Sequence, residues 1–101
     1  MNDPWLTYSS KITENFEELI QLLQQLIRRP SHISEKESQL FIKTWLEERG
    51  IESDLWDLDV DLLKSHPAWV ETGRSYEDRP NLVSTLKGSG QGKSLSLLGH
   101  I

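Results

Sequence analysis

His100 is the side chain best placed to do chemistry. It follows Gly99 near the end of an apolar run, Leu95-Ser-Leu-Leu-Gly-His-Ile101, that reads as a strand over 94–101. Open α/β sheets assemble their sites at the C-terminal ends of strands. An imidazole held there suits zinc or a related divalent ion, although a lone histidine at a strand end is also a common structural residue. His32 and His66 stand in proline-flanked loops and read as surface residues, and no paired histidine spacing accompanies them.

Two other constellations invite chemistry and fail on spacing. Gly88, Gly90, Gly92, Lys93 and Ser94 look like a phosphate cradle, but the position that needs the first glycine is Lys87. A strand-like Ser-Leu-Ser-Leu-Leu follows, where a phosphate loop needs a helix N-terminus. The segment therefore reads as a turn, and nucleotides are not expected there. Glu47, Glu48, Glu52, Asp54, Asp57, Asp59 and Asp61 make an acidic stretch. It lacks the glycine and terminal glutamate of a calcium loop, so it reads as a solvated face with Asp59 as a helix cap.

The elements that must position these residues follow from periodicity. Trp5, Tyr8, Ile12, Phe16, Leu19, Leu23 and Leu26 recur in helical steps, widened by Ile20, Leu22 and Ile27. Asp3-Pro4 opens this helix, Arg28-Arg29-Pro30 closes it, and a break near Ser9-Ser10 also fits. The stripe is expected to pack against the rest of a domain; a coiled-coil dimer is the other use of such a face. Ser34-Glu-Lys-Glu37 is a capping box for a second helix, whose buried face is Leu40, Phe41, Trp45 and Leu46 and whose stop is Gly50. A strand at 51–58, a short helix after Asp59, a polar loop at 67–79, a strand at 81–86 and the strand at 94–101 complete the order.

Composition narrows the class. The 101 residues carry 11 Lys+Arg against 16 Asp+Glu, a net charge of -5. Without a basic patch, nucleic-acid binding is not expected. No cysteine is present, which excludes disulfides, thiolate metal sites and a cysteine nucleophile. No apolar run reaches the roughly 20 residues of a membrane span. The start, Met-Asn-Asp-Pro-Trp, lacks the features of a secretory signal, so a cytoplasmic location without membrane partners is expected. Dense apolar residues at 95, 97, 98 and 101 with no polar stop suggest that residues 1–101 are an incomplete domain.

The motifs together resemble a known family. Leu95 to Ile101 resembles the start of the Gly-His-x-Asp signature of metal-dependent amidohydrolases and exopeptidases related to acetylornithine deacetylase, succinyl-diaminopimelate desuccinylase and carboxypeptidase G. Leu22 to Ser31 resembles that family's first helix, and Trp45 to Ile51 its second helix entering the first strand. Arg79-Pro-Asn-Leu-Val83 resembles the second strand. The stretch from Asp59 to Tyr76 resembles an insertion of the acetylornithine deacetylase-like branch, which includes pyrimidine deformylases.

The resemblance implies an α/β fold: the N-terminal part of an α/β/α zinc-exopeptidase-like catalytic domain, with two helices and then three strands of a mixed sheet, truncated. It implies that His100 is a metal ligand and that the parent enzyme uses two ions, zinc or cobalt. The expected substrates are N-acyl amino acids or related small carboxylates. No catalytic residue of the family falls within this chain, so the 101 residues alone are expected to be inactive and to hold no metal firmly. Residue pattern alone pairs 81–86 with 94–100 as a hairpin, whereas the family pattern pairs the first two strands. Self-association through the unpaired edge at 94–101 is expected. The rival reading is a non-enzymatic binding module with an aromatic surface from Trp5, Trp45, Trp56 and Trp69.

Overall fold

The computed structural model describes residues 3–101. Four helices and two strands follow in the order α1 (Pro4–Glu14), α2 (Phe16–Ile27), α3 (Lys36–Glu47), β1 (Glu52–Trp56), α4 (Val60–Lys64) and β2 (Asn81–Thr85). The chain is thus a small α/β arrangement with a two-stranded antiparallel sheet.

The first predicted helix is two. Asp3 caps α1 by accepting the Trp5 N–H at 3.0 Å, with Pro4 in the first turn. The break falls at Asn15 rather than at Ser9-Ser10. Thr13 Oγ1 donates back to the Ser9 carbonyl, and Asn15 Nδ2 donates to the Lys11 carbonyl at 2.8 Å. Both bonds use side chains that compete with helical backbone pairing. Glu17 and Glu18 then lie in the first turn of α2, where the helix dipole favours negative charge.

The wide apolar stripe divides between two environments. Ile20, Leu22 and Leu26 are half-buried, and Leu22 shares a groove with Phe41 and Trp45 of α3. Arg29 lies over the Phe41 ring at 4.0 Å, and Arg49 bonds Glu18 at 2.6 Å across the same groove. Phe16, Leu19, Leu23 and Ile27 stay exposed, as do Trp5, Tyr8 and Ile12. The expected packing face is therefore only partly covered, because one neighbouring helix cannot cover so broad a stripe.

α3 begins at Lys36 with Glu35 at the N-cap position and no side-chain cap, so the expected Ser34–Glu37 capping box does not form. Ser34 Oγ accepts the Lys36 N–H at 3.3 Å and donates to the Asp78 carbonyl at 2.7 Å. The helix ends in a Schellman-type turn, with Ile51 N–H on the Leu46 carbonyl and Gly50 N–H on that of Glu47, each at 3.0 Å. Gly50 has φ +74°, which a Cβ disfavours.

β1 and β2 pair antiparallel with Leu55 opposite Leu82 and Ser53 opposite Ser84, whose hydroxyls meet at 2.7 Å. α3 packs against this pair, and Lys43 donates to the Ser53 carbonyl at 3.2 Å. The first two strands pair with each other. The hairpin between 81–86 and 94–100 does not form, and residues 86–101 carry no strand, so the expected third strand is absent from the described residues. Gly88, Gly90 and Gly92 are exposed, and two-stranded pairing without a third partner is marginal in water.

No apolar side chain is fully buried among the described residues. The accessible surface is 9071 Å², against about 5,900 Å² for a compact monomer of 11.7 kDa. The radius of gyration is 17.5 Å, against about 13 Å for a compact domain of 100 residues. The elements form without closing over a core.

Candidate functional site

The sheet and α3 are held together by a clasp that no spacing rule could find. Arg79, just before β2, donates from Nη1 to both oxygens of Glu35 at 2.7 and 2.8 Å. Its Nη2 donates to the Ile33 carbonyl at 3.0 Å. Beside it, Lys36 Nζ bonds Asp78 at 2.7 Å. Asp78 sits at φ +58°, a left-handed conformation that aspartate tolerates, and this turns its carbonyl toward Ser34. The hydrogen bond and charge of Asp78 raise the Lys36 ammonium above the ordinary lysine range. Family resemblance assigns Arg79 and Pro80 to the second strand and no more; the partners of Arg79 lie more than forty residues away in the chain.

The clasp forms one wall of an open cleft of about 330 Å³. Leu58, Pro80 and Ile101 give it an apolar side, and Arg74, Tyr76 and Asn81 a polar one. His100 also lines it, on the irregular segment after β2. The residue singled out by sequence is therefore brought beside Glu35 and Arg79, although no strand presents it. No atom lies within 4 Å of where a Cβ at Gly99 would stand, so this chain's own packing does not demand glycine there.

The other sequence candidates remain dispersed. His66 Nδ1 accepts the Ala68 N–H at 3.1 Å, closing a turn, and His32 is exposed in the turn after α2. Of the seven acids, Glu47 pairs with Lys43 and Asp59 caps α4 by accepting the Leu62 N–H at 3.0 Å. The rest of that stretch is exposed. The tryptophans stand on separate segments: Trp5 against Tyr8 in α1, Trp45 under Arg49 in α3, Trp56 in β1 and Trp69 against Tyr76.

A divalent metal site needs at least three protein ligands. Among the described residues no three His, Asp or Glu side chains gather as such a group. His100 offers one nitrogen, and the carboxylate of Glu35 is taken up by Arg79. The residues present do not by themselves fit a metal ion. No described helix is long and apolar enough to cross a membrane.

No family model and no solved structure matches the chain. Among curated proteins it is similar to N-formyl-4-amino-5-aminomethyl-2-methylpyrimidine deformylase of Halalkalibacterium halodurans, with 31% identity over 96 residues. The alignment covers 89% of this chain and 18% of the relative, so the chain spans about a fifth of that protein's length.

Proposed function

We propose that these residues are the N-terminal portion of an amide hydrolase that removes a small acyl group, formyl or acetyl, from nitrogen. The observation that carries the reading is the similarity to a deformylase along nearly the whole chain. The large apolar surface left uncovered in α1, α2 and the sheet supports placing them within a larger domain.

The reaction is the addition of water across an N-acyl bond, releasing an amine and a short carboxylic acid. The cleft beside His100 supplies room and polarity for one end of a small substrate. Family resemblance adds zinc or cobalt as cofactor, with His100 as one ligand and the remaining ligands outside these 101 residues. The substrates we favour are N-acyl amino acids and related small carboxylates.

The test uses the longer protein that carries this sequence. It should hydrolyse N-formyl or N-acetyl amino acids, lose activity on chelation, and lose about 100-fold or more with His100→Ala. Absence of any N-deacylation would end the hydrolase reading. Full activity after His100→Ala would remove His100 from the site while leaving the reaction class standing.

A further inference from the structure

We propose that two copies of this chain join by strand exchange, each laying residues 94–98 along the outer edge of the other's β2. The inference goes beyond the function proposed above and does not rest on it.

Each copy carries one bare edge and one unpartnered segment. β2 pairs with β1 on one side and meets no further strand on the other among the described residues. Four of its five residues are exposed, and Asn81-Leu-Val-Ser-Thr85 holds no charge and no proline. Charge and proline are the devices by which edge strands turn away a further strand. The outer edge of β1 has such protection: Glu52 and Asp54 stand exposed on that strand, and Lys43 donates to the Ser53 carbonyl. An added strand is therefore discouraged at β1 and admitted at β2.

The segment Ser94-Leu-Ser-Leu-Leu98 matches that edge. It is uncharged and begins with the polar–apolar alternation of a strand. Among the described residues no backbone hydrogen bond reaches residues 87–101. Leu95, Leu97 and Leu98 are 83%, 86% and 101% exposed. In the register that sets Leu95 and Leu97 on the face of Leu82 and Leu86, Leu98 falls on the face of Val83, so apolar side chains meet on both faces. The link at 87–93, with glycine at 88, 90 and 92, has a reach of up to about 23 Å. It is longer than hairpin loops favour, and within one chain the hairpin is unmade. Between two copies each bare edge receives a segment, and the exchange closes with two-fold symmetry. Each sheet then rises from two strands to three, the size at which sheets become independently stable.

Sedimentation equilibrium of the 101-residue chain at rising concentration should show association that stops at the dimer. Amide exchange at residues 94–98 should slow as the dimer forms. Two variants separate the edge from the segment. Val83→Lys charges the edge while standing opposite Asp54, so the β1–β2 pairing is kept. Leu97→Lys charges the segment and lies outside every helix and strand, so it leaves the fold standing. Retained protection of β1 and β2 in dilute samples checks that both variants fold. Each variant alone should weaken dimerisation about tenfold or more. An equal mixture unites an intact segment with an intact edge, and should associate more tightly than either variant alone. A monomer at every concentration, growth past the dimer, a variant that associates as tightly as the wild type, or a mixture no better than its components each overturns the proposal. So does protection of residues 94–98 that is independent of concentration, which would place the segment on its own chain's β2.

Discussion

The half of the molecule built from α3 and the sheet is tied by contacts that cross more than forty residues of chain, whereas the α1–α2 arm is held mostly by bonds to its own neighbours. Ser34 and Lys36 reach Asp78, and Arg79 reaches Glu35 and Ile33. In α1 the side-chain bonds run to residues four positions away or fewer, and among the described residues the Arg49–Glu18 pair and the groove that Leu22 shares with Phe41 and Trp45 draw α2 toward α3. Closing a loop of 44 residues costs about 3 kcal/mol in chain entropy, while an exposed ion pair returns about 0–1 kcal/mol. No single tie could hold the clasped half. It holds because the β1–β2 pairing and the ties close the same loop, so that one entropic cost serves several bonds. The arm closes a loop only through the Arg49–Glu18 pair, with no strand pairing to share that cost, and most of its apolar stripe stays exposed.

The largest expected effect comes from opening the clasp. Glu35 and Arg79 side chains are 22% and 27% exposed, so losing one leaves the other poorly hydrated. Arg79→Met should cost about 2 kcal/mol. Amide exchange in β1 and β2 should then accelerate by about 30-fold. Unchanged protection in those strands would mean that the clasp contributes nothing to the pairing.

Next in size is the turn that delivers β1. Nothing lies within 4 Å of a Cβ built at Gly50, so its replacement meets a conformational penalty alone. Gly50→Ala should destabilise the sheet half by about 1 kcal/mol, read as a lower urea midpoint. Gly50→Asn should cost less, since asparagine enters the left-handed region more readily. Equal losses in both would point to a steric conflict instead.

These two sites also show how legibility varies along the chain. Gly50, the Asp59 cap and the apolar runs of both strands could be read because each is a local rule about backbone geometry or period. The division at Asn15 was less legible, since the apolar period runs through it and only side-chain competition for carbonyls breaks the helix. The Glu35–Arg79 clasp was not legible at all, because opposite charges 44 residues apart have no preferred spacing. The strand expected at 94–101 follows from composition, but a strand needs a partner, and none is offered among the described residues. His100 was found by type and by resemblance; its neighbours in the cleft were not.

The arm offers a sharper contrast with smaller numbers. Leu19 is 45% exposed and Trp5 76% exposed. Leu19→Ala and Trp5→Ala should each shift the stability of the sheet half by no more than about 0.5 kcal/mol. Amides of α1 should exchange nearly as fast as in a free peptide. A cost of about 2 kcal/mol or more from Leu19→Ala would show that this face is packed against another surface in solution.

The smallest effect is a test of sign at the exposed side of the clasp. Asp78 holds the Lys36 ammonium above its ordinary value, so folding favours the protonated form. Below the ordinary lysine range both folded and unfolded chains carry the proton, and the contribution of the pair is fully present. It should fade only as pH climbs through the raised folded-state value. The pair is solvent-exposed on both sides, so the difference is small and screened by salt. Urea midpoints of the wild type and Lys36→Met should therefore differ slightly at about pH 8 and converge toward about pH 12. Asp78→Asn retains a residue suited to the left-handed turn and should remove the same pH-dependent gap. A gap that widens with pH would mean that Lys36 is stabilised by packing of its stem and not by the charge of Asp78.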